Sequence, residues 1–239
     1  AQEYPAVEIV VVNDGGPSVE EVIARFGDQH PTSVTLVNLT HNGGIAVSRN
    51  AGAARAAGAY LALLDDDDRF RPTHIGNLVR ALERDHGAVL AYDDALIQLQ
   101  DSQASDEQIH VTATCRFGLP YDKAKFDVDD FIVTSACLIR KQEFAAVGGF
   151  NESLRYCEDW DLLLRLRERG SFLYVPGEIG IDYSMRMGAN DHTGNVFDEQ
   201  RRAALDYLSQ RYGLPPLVPK NFLDVALGLG FTITPAPTA

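Results

Sequence analysis

Residues Leu61-Ala62-Leu63-Leu64 run straight into Asp65-Asp66-Asp67-Asp68. The apolar half, fed by Gly58-Ala59-Tyr60, reads as a short buried strand. Four adjacent carboxylates repel one another and need water or a cation, so they cannot follow that strand into a core. The chain must turn at the strand's C-terminal end and leave the acids on the rim of a sheet, where open α/β sheets hold their ligands. Taken alone, the run fits equally well a solvated acidic turn ahead of a helix beginning near Pro72, because helix N-termini favour acids.

The neighbouring segments bear on that choice. Val7-Glu8-Ile9-Val10-Val11-Val12 is a further strand, and its near-continuous apolar run predicts burial on both faces, as in a parallel sheet. It ends in Asn13-Asp14-Gly15-Gly16-Pro17, where glycine allows close approach to backbone. Asp14 is thus a second carboxylate at a strand end, with a locally bonded turn aspartate as the alternative. Ser18 and Glu21 cap a helix running to about Phe26. Ser33 to Leu39 is another strand, followed by the loop His41-Asn42-Gly43-Gly44-Ile45 and an alanine-rich helix from Ala46 to Ala57. The start of that helix, with Arg49 one turn further in, makes an anion site; a surface ion pair is the alternative for Arg49. Strand, helix, strand, helix, strand in this order argues for a parallel, doubly wound sheet.

Beyond the acids, Pro72 opens a helix to about Arg84, and Val89 to Tyr92 is a strand closing in Asp93-Asp94. From Gln98 to about Asp130 no period is clear, and this stretch is expected to cover a site rather than build the core. Ile132 to Arg140 reads as a strand, and Lys141 to Val147 as a short helix stopped by Gly148-Gly149. Glu158-Asp159-Trp160-Asp161 opens a helix reaching Gly170. Acids there suit the helix dipole, and carboxylates among large apolar side chains can also have the raised pKa that proton transfer needs. Ser171 to Pro176 is a strand, Tyr183 to Asn195 a polar segment holding Arg186 and His192, and Val196 to Tyr212 a helix.

The formal net charge of −13 argues against a nucleic-acid partner, which wants a basic face. No window reaches the length of a transmembrane span, the first residues do not form a signal peptide, and Cys115, Cys137 and Cys157 read as buried reduced thiols.

Together these motifs resemble the inverting family 2 glycosyltransferases of the GT-A fold, from about Ala1 to Tyr212. Glu8 to Gly16 is similar to the family's nucleotide-binding Asp-Gly turn. Asn42-Gly43-Gly44 with Ser48-Arg49-Asn50-Ala51-Gly52 resembles the loop and helix ahead of its metal site. Leu64 to Asp68 resembles its Asp-x-Asp-Asp motif, and Gly148 to Glu152 with Glu158 to Asp161 its acceptor-side block. The resemblance implies an α/β, Rossmann-like domain with a mostly parallel central sheet and helices on both faces. Residues 1–95 would be the nucleotide-sugar-binding half, 96–212 the acceptor-binding and catalytic half, and 213–239 a tail.

It further implies a metal-dependent, hexosyltransferase-type enzyme that moves a sugar from a nucleotide-diphospho-sugar, a UDP-sugar foremost, to a carbohydrate or other hydroxyl acceptor. Asp67 would bind Mn2+ or Mg2+, with His192 completing the shell from a loop. Asp65 would contact ribose or metal, with Asp66 between them on the donor side. Asp14 would bond the base, Arg49 the nucleotide or diphosphate, Asp159 would be the general base, and Glu158 would assist it. Such a protein is expected in the cytoplasm, in solution or peripherally at a membrane.

Three departures stand out. Asn13 and Gly16 replace residues common in the family's turn, and Gln98–Asp130 matches no family motif. The family's usual opening strand and helix are also not matched, so either the chain is shortened or another segment fills that slot, for which Gly230 to Pro235 has strand-like alternation. A degenerate domain that binds nucleotide-sugar without transfer is the alternative reading. Aspartate-dependent phosphoryl transfer fits less well, because Arg69 stands where a threonine would be expected.

Overall fold

The computed structural model describes residues 2–29, 32–101, 110–187 and 199–236. The first elements follow the alternation expected: β1 (Glu8–Asp14), α1 (Glu20–Gln29), β2 (Ser33–Leu39), α2 (Ile45–Arg55) and β3 (Tyr60–Ala62). β1 and β2 pair in parallel, from Glu8 opposite Ser33 to Asp14 opposite Leu39. After the acids come β4 (Arg69–Phe70) and α3 (His74–Arg84). β5 (Ala88–Asp101) follows and continues through Asp93 and Asp94 well past Tyr92. The rest is β6 (Val111–Phe117), α4 (Lys123–Phe126), β7 (Cys137–Arg140), α5 (Lys141–Ala146), α6 (Glu158–Leu166), β8 (Ser171–Met187), α7 (Glu199–Tyr212), α8 (Phe222–Gly228) and β9 (Thr234–Pro235).

The α/β class is as expected, but the sheet is not mostly parallel. Among the described strands, β1–β2 and β5–β8 pair in parallel, while β3–β7, β4–β8, β5–β6, β5–β7 and β6–β9 are antiparallel. Connection length explains part of this. The stretch 102–110 between β5 and β6 is shorter than the dozen or so residues that a parallel crossover needs, so the two strands pair antiparallel. β5 is the centre of the larger sheet, with β8 along most of its length and β7 and β6 in succession on the opposite side.

The stretch from Gln98 to Asp130 does not merely cover a site. Cys115, Phe117 and Phe126 from it are buried, and the Phe126 ring packs edge-on to Phe131 at 5.4 Å and to Trp160 at 6.2 Å. The missed signal is that β6 alternates between sheet faces, and the aromatic residues that close the core lie beyond it in a short helix. Cys115 and Cys137 are buried free thiols, and Cys157 is half-buried.

β1 is paired with β2 on one side, and neither its other edge nor the outer edge of β3 has a strand partner among the described residues. Ile9, Val10, Val11 and Val12 are therefore only half-buried, where the sequence predicts burial on both faces. The C-terminal tail does not fill this gap. Thr234 and Pro235 pair with β6, and Phe231 anchors the tail there by packing edge-on to Phe117 at 5.1 Å. No helix among the described residues is long and apolar enough to cross a membrane.

Candidate functional site

A cleft of 2310 Å³ runs from the open edge of β1 to the acidic turn and on to the start of α6. Its near wall begins at Asp14, whose two carboxylate oxygens accept the backbone N–H groups of Gly43 at 2.7 Å and Gly44 at 2.9 Å. Burial disfavours its charge, but these two donors, with Ser48 and His41 adding to them, outweigh it and hold Asp14 below the usual carboxylate range. The approach requires glycine at 15, where φ is +73° and a Cβ would lie 2.7 Å from the Asn42 nitrogen. Asp14 thus fastens the end of β1 to the loop that opens α2.

Arg49, in the first turns of α2, is not a surface ion pair. Its side chain is 11% exposed, and its guanidinium donates to Asp65 at 2.9 and 3.1 Å and to Glu158 at 3.3 Å. It also lies over the Phe150 ring, 5.4 Å from the centroid. Burial pulls its pKa down, and the Asp65 and Glu158 charges more than restore it. One buried cation therefore joins the acidic turn to the acids of α6 across 109 residues of sequence.

The four aspartates have four different surroundings. Asp65 is held by Arg49. Asp66 is exposed. Asp67 is raised by burial and by the Asp66 and Asp65 charges, with Arg186 acting in the opposite direction. Asp68 turns back toward β8, its Oδ1 accepting the Ser184 N–H at 2.8 Å while Ser184 Oγ donates to the Asp67 carbonyl at 2.6 Å. Burial pushes Asp68 up to about 7 despite that bond, and its Oδ2 is buried without a partner among the described residues. The side chain of Asp68 continues the β4–β8 ladder, in which Arg69 faces Asp182 and Phe70 faces Ile181.

The far wall is the start of α6. Cys157 precedes it with φ +58°, the left-handed backbone that non-glycine residues rarely adopt. Glu158 and Asp159 follow in the first turn. Burial, and after it the Asp159 charge, push Glu158 upward against the pull of Arg49. Asp159 Oδ1 accepts the Trp160 N–H at 2.8 Å. Asp161 has a structural role: it is 1% exposed and accepts from Arg165 at 2.6 Å and from the Tyr212 hydroxyl at 2.6 Å, tying α6 to α7.

The structure thus brings Asp14, Arg49, Asp65, Asp66, Asp67, Glu158 and Asp159 to one cleft, and His192 lies outside the described residues. Sequence reasoning gave Asp68 no role beyond its place in the acidic run, and it missed Tyr183 and Asp130. Asp130 lines the same cleft as the α6 acids, and burial, then the Asp159 charge, push it well up. Tyr183 and Asp130 belong to segments with no motif, and only the fold brings them to the cleft.

For a hard cation the donor set fits without being pre-assembled. No group of three or more ligating side chains is gathered among the described residues. Asp67 nevertheless offers a carboxylate with no ion-pair partner among them, beside exposed Asp66. Mg2+ and Mn2+ favour this pattern of one or two carboxylates, completed by substrate phosphates and water.

An acidic turn at a strand end thus faces a helix-borne carboxylate pair across a cleft in an α/β sheet, an arrangement that group-transfer chemistry can use. The model of Glycosyl transferase family 2 matches residues 1–142, more than half of the chain, and the chain belongs to that family. It is 28% identical over 223 residues to an uncharacterized glycosyltransferase, YwdF, of Bacillus subtilis, covering 90% of this chain and 76% of that one. It is 27% identical over 237 residues to the succinoglycan biosynthesis protein ExoO of Rhizobium meliloti, covering 88% of this chain and 64% of that one. Among solved structures, S. aureus TarS 1-349 in complex with UDP-GlcNAc superposes with a TM-score of 0.60 at 16% identity, over 87% of this chain and 59% of that one. The mannosyltransferase PcManGT of Pyrobaculum calidifontis, in complex with GDP-Man and Mn2+, gives 0.59 at 15% identity, over 90% and 59%. These two likenesses concern the fold. The chain spans about three fifths of the length of either solved chain.

Proposed function

We propose that this chain carries out metal-dependent, inverting transfer of a hexosyl group from a nucleotide-diphospho-sugar to an acceptor hydroxyl. The observation that carries the reading is Arg49, a buried cation bonded to both Asp65 of the acidic turn and Glu158 of α6. It sets the donor-side and acceptor-side acids of one cleft at a fixed separation, as a single displacement between two substrates demands. Residues 1–95 supply the donor side and residues 96–212 the acceptor side. The UDP-GlcNAc and GDP-Man held by the two structural neighbours favour a nucleotide-sugar donor, with UDP as the first base to test.

Asp67 would hold Mn2+ or Mg2+, with Asp66 beside it. When bound, that cation neutralises charge on the leaving diphosphate. Asp65 contacts the ribose and, held by Arg49, keeps the turn in place. Asp14 borders the base through the loop it fastens. Asp159 takes the proton of the acceptor hydroxyl as that oxygen attacks the anomeric carbon. The bond from that carbon to the diphosphate oxygen breaks on the opposite face, the electron pair leaves with the nucleotide diphosphate, and the configuration inverts. Glu158 orients the site through Arg49.

The test is donor turnover with UDP-, GDP- and dTDP-sugars, with and without Mn2+. Asp67→Ala is expected to abolish metal-dependent nucleotide binding, whereas Asp159→Asn keeps binding and stops transfer. Undiminished turnover in Asp159→Asn would remove the base from this scheme. The open edge of β1 favours a second reading, nucleotide-sugar binding without transfer. Nucleotide binding with no turnover from any donor would support it.

A further inference from the structure

Tyr183 stands where the two acid sets of the cleft meet, and neither the motifs nor the roles above use it. Its two neighbours in the strand are each held. On one side Asp182 accepts Arg71 at 2.8 Å; on the other the Ser184 N–H donates to Asp68 at 2.8 Å and the Ser184 hydroxyl to the Asp67 carbonyl at 2.6 Å. Gln100 of β5 donates to the same Ser184 hydroxyl at 2.9 Å. The strand carrying Tyr183 is therefore bolted to the acidic turn itself.

Side chains on a strand alternate, so Tyr183 projects from the face opposite Asp182 and Ser184. There its ring packs edge-on to Phe222 of α8, with centroids 5.7 Å apart and planes at 86°. The ring is fixed, but the hydroxyl makes no hydrogen bond among the described residues, and the side chain lines the cleft. A half-buried phenol ordinarily finds a partner for its O–H. The cleft it lines is also lined by Asp65 and Asp67 of the turn and by Asp159 of α6. A group on a strand fastened to the turn that would hold the diphosphate, in the same cleft as the acid that would deprotonate the acceptor, borders the space between them. On the proposed function, that space holds the sugar in transit.

We propose that the Tyr183 hydroxyl donates a hydrogen bond to an oxygen of the sugar being transferred, making Tyr183 a donor-sugar contact and a determinant of sugar specificity. This assignment rests on the proposed function. It separates Tyr183 from residues serving the base, the diphosphate or the metal, because its contact exists only when the sugar is attached.

The experiment compares nucleotide with nucleotide-sugar. Binding of UDP and of UDP-GlcNAc, and of GDP and GDP-mannose, is measured with Mn2+ for the wild-type chain and for Tyr183→Phe, which keeps the ring against Phe222. For whichever pair binds, Tyr183→Phe is expected to leave the nucleotide affinity unchanged within twofold and to weaken the nucleotide-sugar by about 2- to 10-fold, the range for one neutral hydrogen bond. A donor lacking the contacted hydroxyl should bind wild type and Tyr183→Phe alike. Equal weakening of nucleotide and nucleotide-sugar overturns the assignment, because the hydroxyl then acts through the turn. Unchanged affinity for both also overturns it. If Tyr183→Phe passes or fails while the wild type binds and turns over donor, the result concerns Tyr183 alone. A wild-type chain that binds neither nucleotide-sugar overturns the functional reading and this assignment together.

Discussion

Arg49→Met should show how much of the molecule depends on one buried cation. Methionine keeps most of the length and the contact with Phe150 but removes the charge shared by Asp65 and Glu158. The two acids pay unequally. The Asp65 side chain is 36% exposed and can be rehydrated, whereas that of Glu158 is 9% exposed and cannot. Breaking a buried pair from one side costs about 3–5 kcal/mol, and the exposure of Asp65 places this case near the lower end, about 3 kcal/mol. For a chain of this size that corresponds to a fall in Tm of about 6–12 °C. The loss should also depend on pH. Glu158 already titrates above its ordinary value of 4.5, pushed up by burial and by Asp159, and Arg49 is the main charge pulling it down. Without Arg49 its folded pKa rises further, so folding becomes less favourable as pH climbs from the unfolded value through the folded one. The Tm gap between wild type and Arg49→Met should therefore widen as pH climbs through about 8, where wild-type Glu158 ionises and the variant's does not. Calorimetry from pH 6 to pH 9 checks both parts. A gap under 2 °C at pH 9, or one that does not narrow toward pH 6, would refute the account of Arg49 as the charge that makes the α6 acids tolerable.

Two further outcomes follow from the packing. Gly180→Ala would place a Cβ 2.0 Å from Asp93 Oδ2 and 2.2 Å from His74 Nδ1, atoms of a buried pair bonded at 2.8 Å. It should cost about 3 kcal/mol, the upper end of ordinary overpacking, and be visible as a lower denaturant midpoint. In hydrogen exchange, β1, with its second edge unpartnered, should lose protection well before β5, which is paired on both sides. Equal protection would show that the β1–β2 pair opens only with the whole domain.

Local chemistry made much of this legible from sequence. The first five elements were readable because their apolar runs, glycine stops and polar turns recur at short intervals, and the Asp run could only lie at a strand end. The long antiparallel pairings were not, because the register of β5 with β6 and β8 is decided by which faces must be buried together, over separations no local pattern records. The site divided along the same line. Residues in contiguous motifs, such as Asp65, Asp67, Glu158 and Asp159, could be singled out. Arg49 could be noticed, but its bond to Glu158 spans 109 residues and needed the fold. Tyr183 had no signal at all: one tyrosine in a polar stretch becomes informative only when its strand is seen fastened to the acidic turn.

The disposition of the four aspartates also bears on which of them meets a cation. A run of like charges survives in a folded chain when each is compensated, hydrated or neutralised. Asp65 is compensated by Arg49, Asp66 is hydrated, and Asp68 is turned back onto the Ser184 N–H. Asp67 lines the cleft with no ion-pair partner among the described residues; burial and the Asp66 and Asp65 charges oppose its charge, and a backbone N–H and Arg186 favour it. Its carbonyl is at the same time fixed by the Ser184 hydroxyl, so the residue cannot relieve the repulsion by swinging out with its backbone. The turn thus holds one carboxylate, repelled by its neighbours and without an ion-pair partner among the described residues, at a fixed place. Exchanging Asp66 and Asp68 for asparagine should relieve that charge without removing Asp67, raising stability in the absence of Mn2+ while weakening its binding.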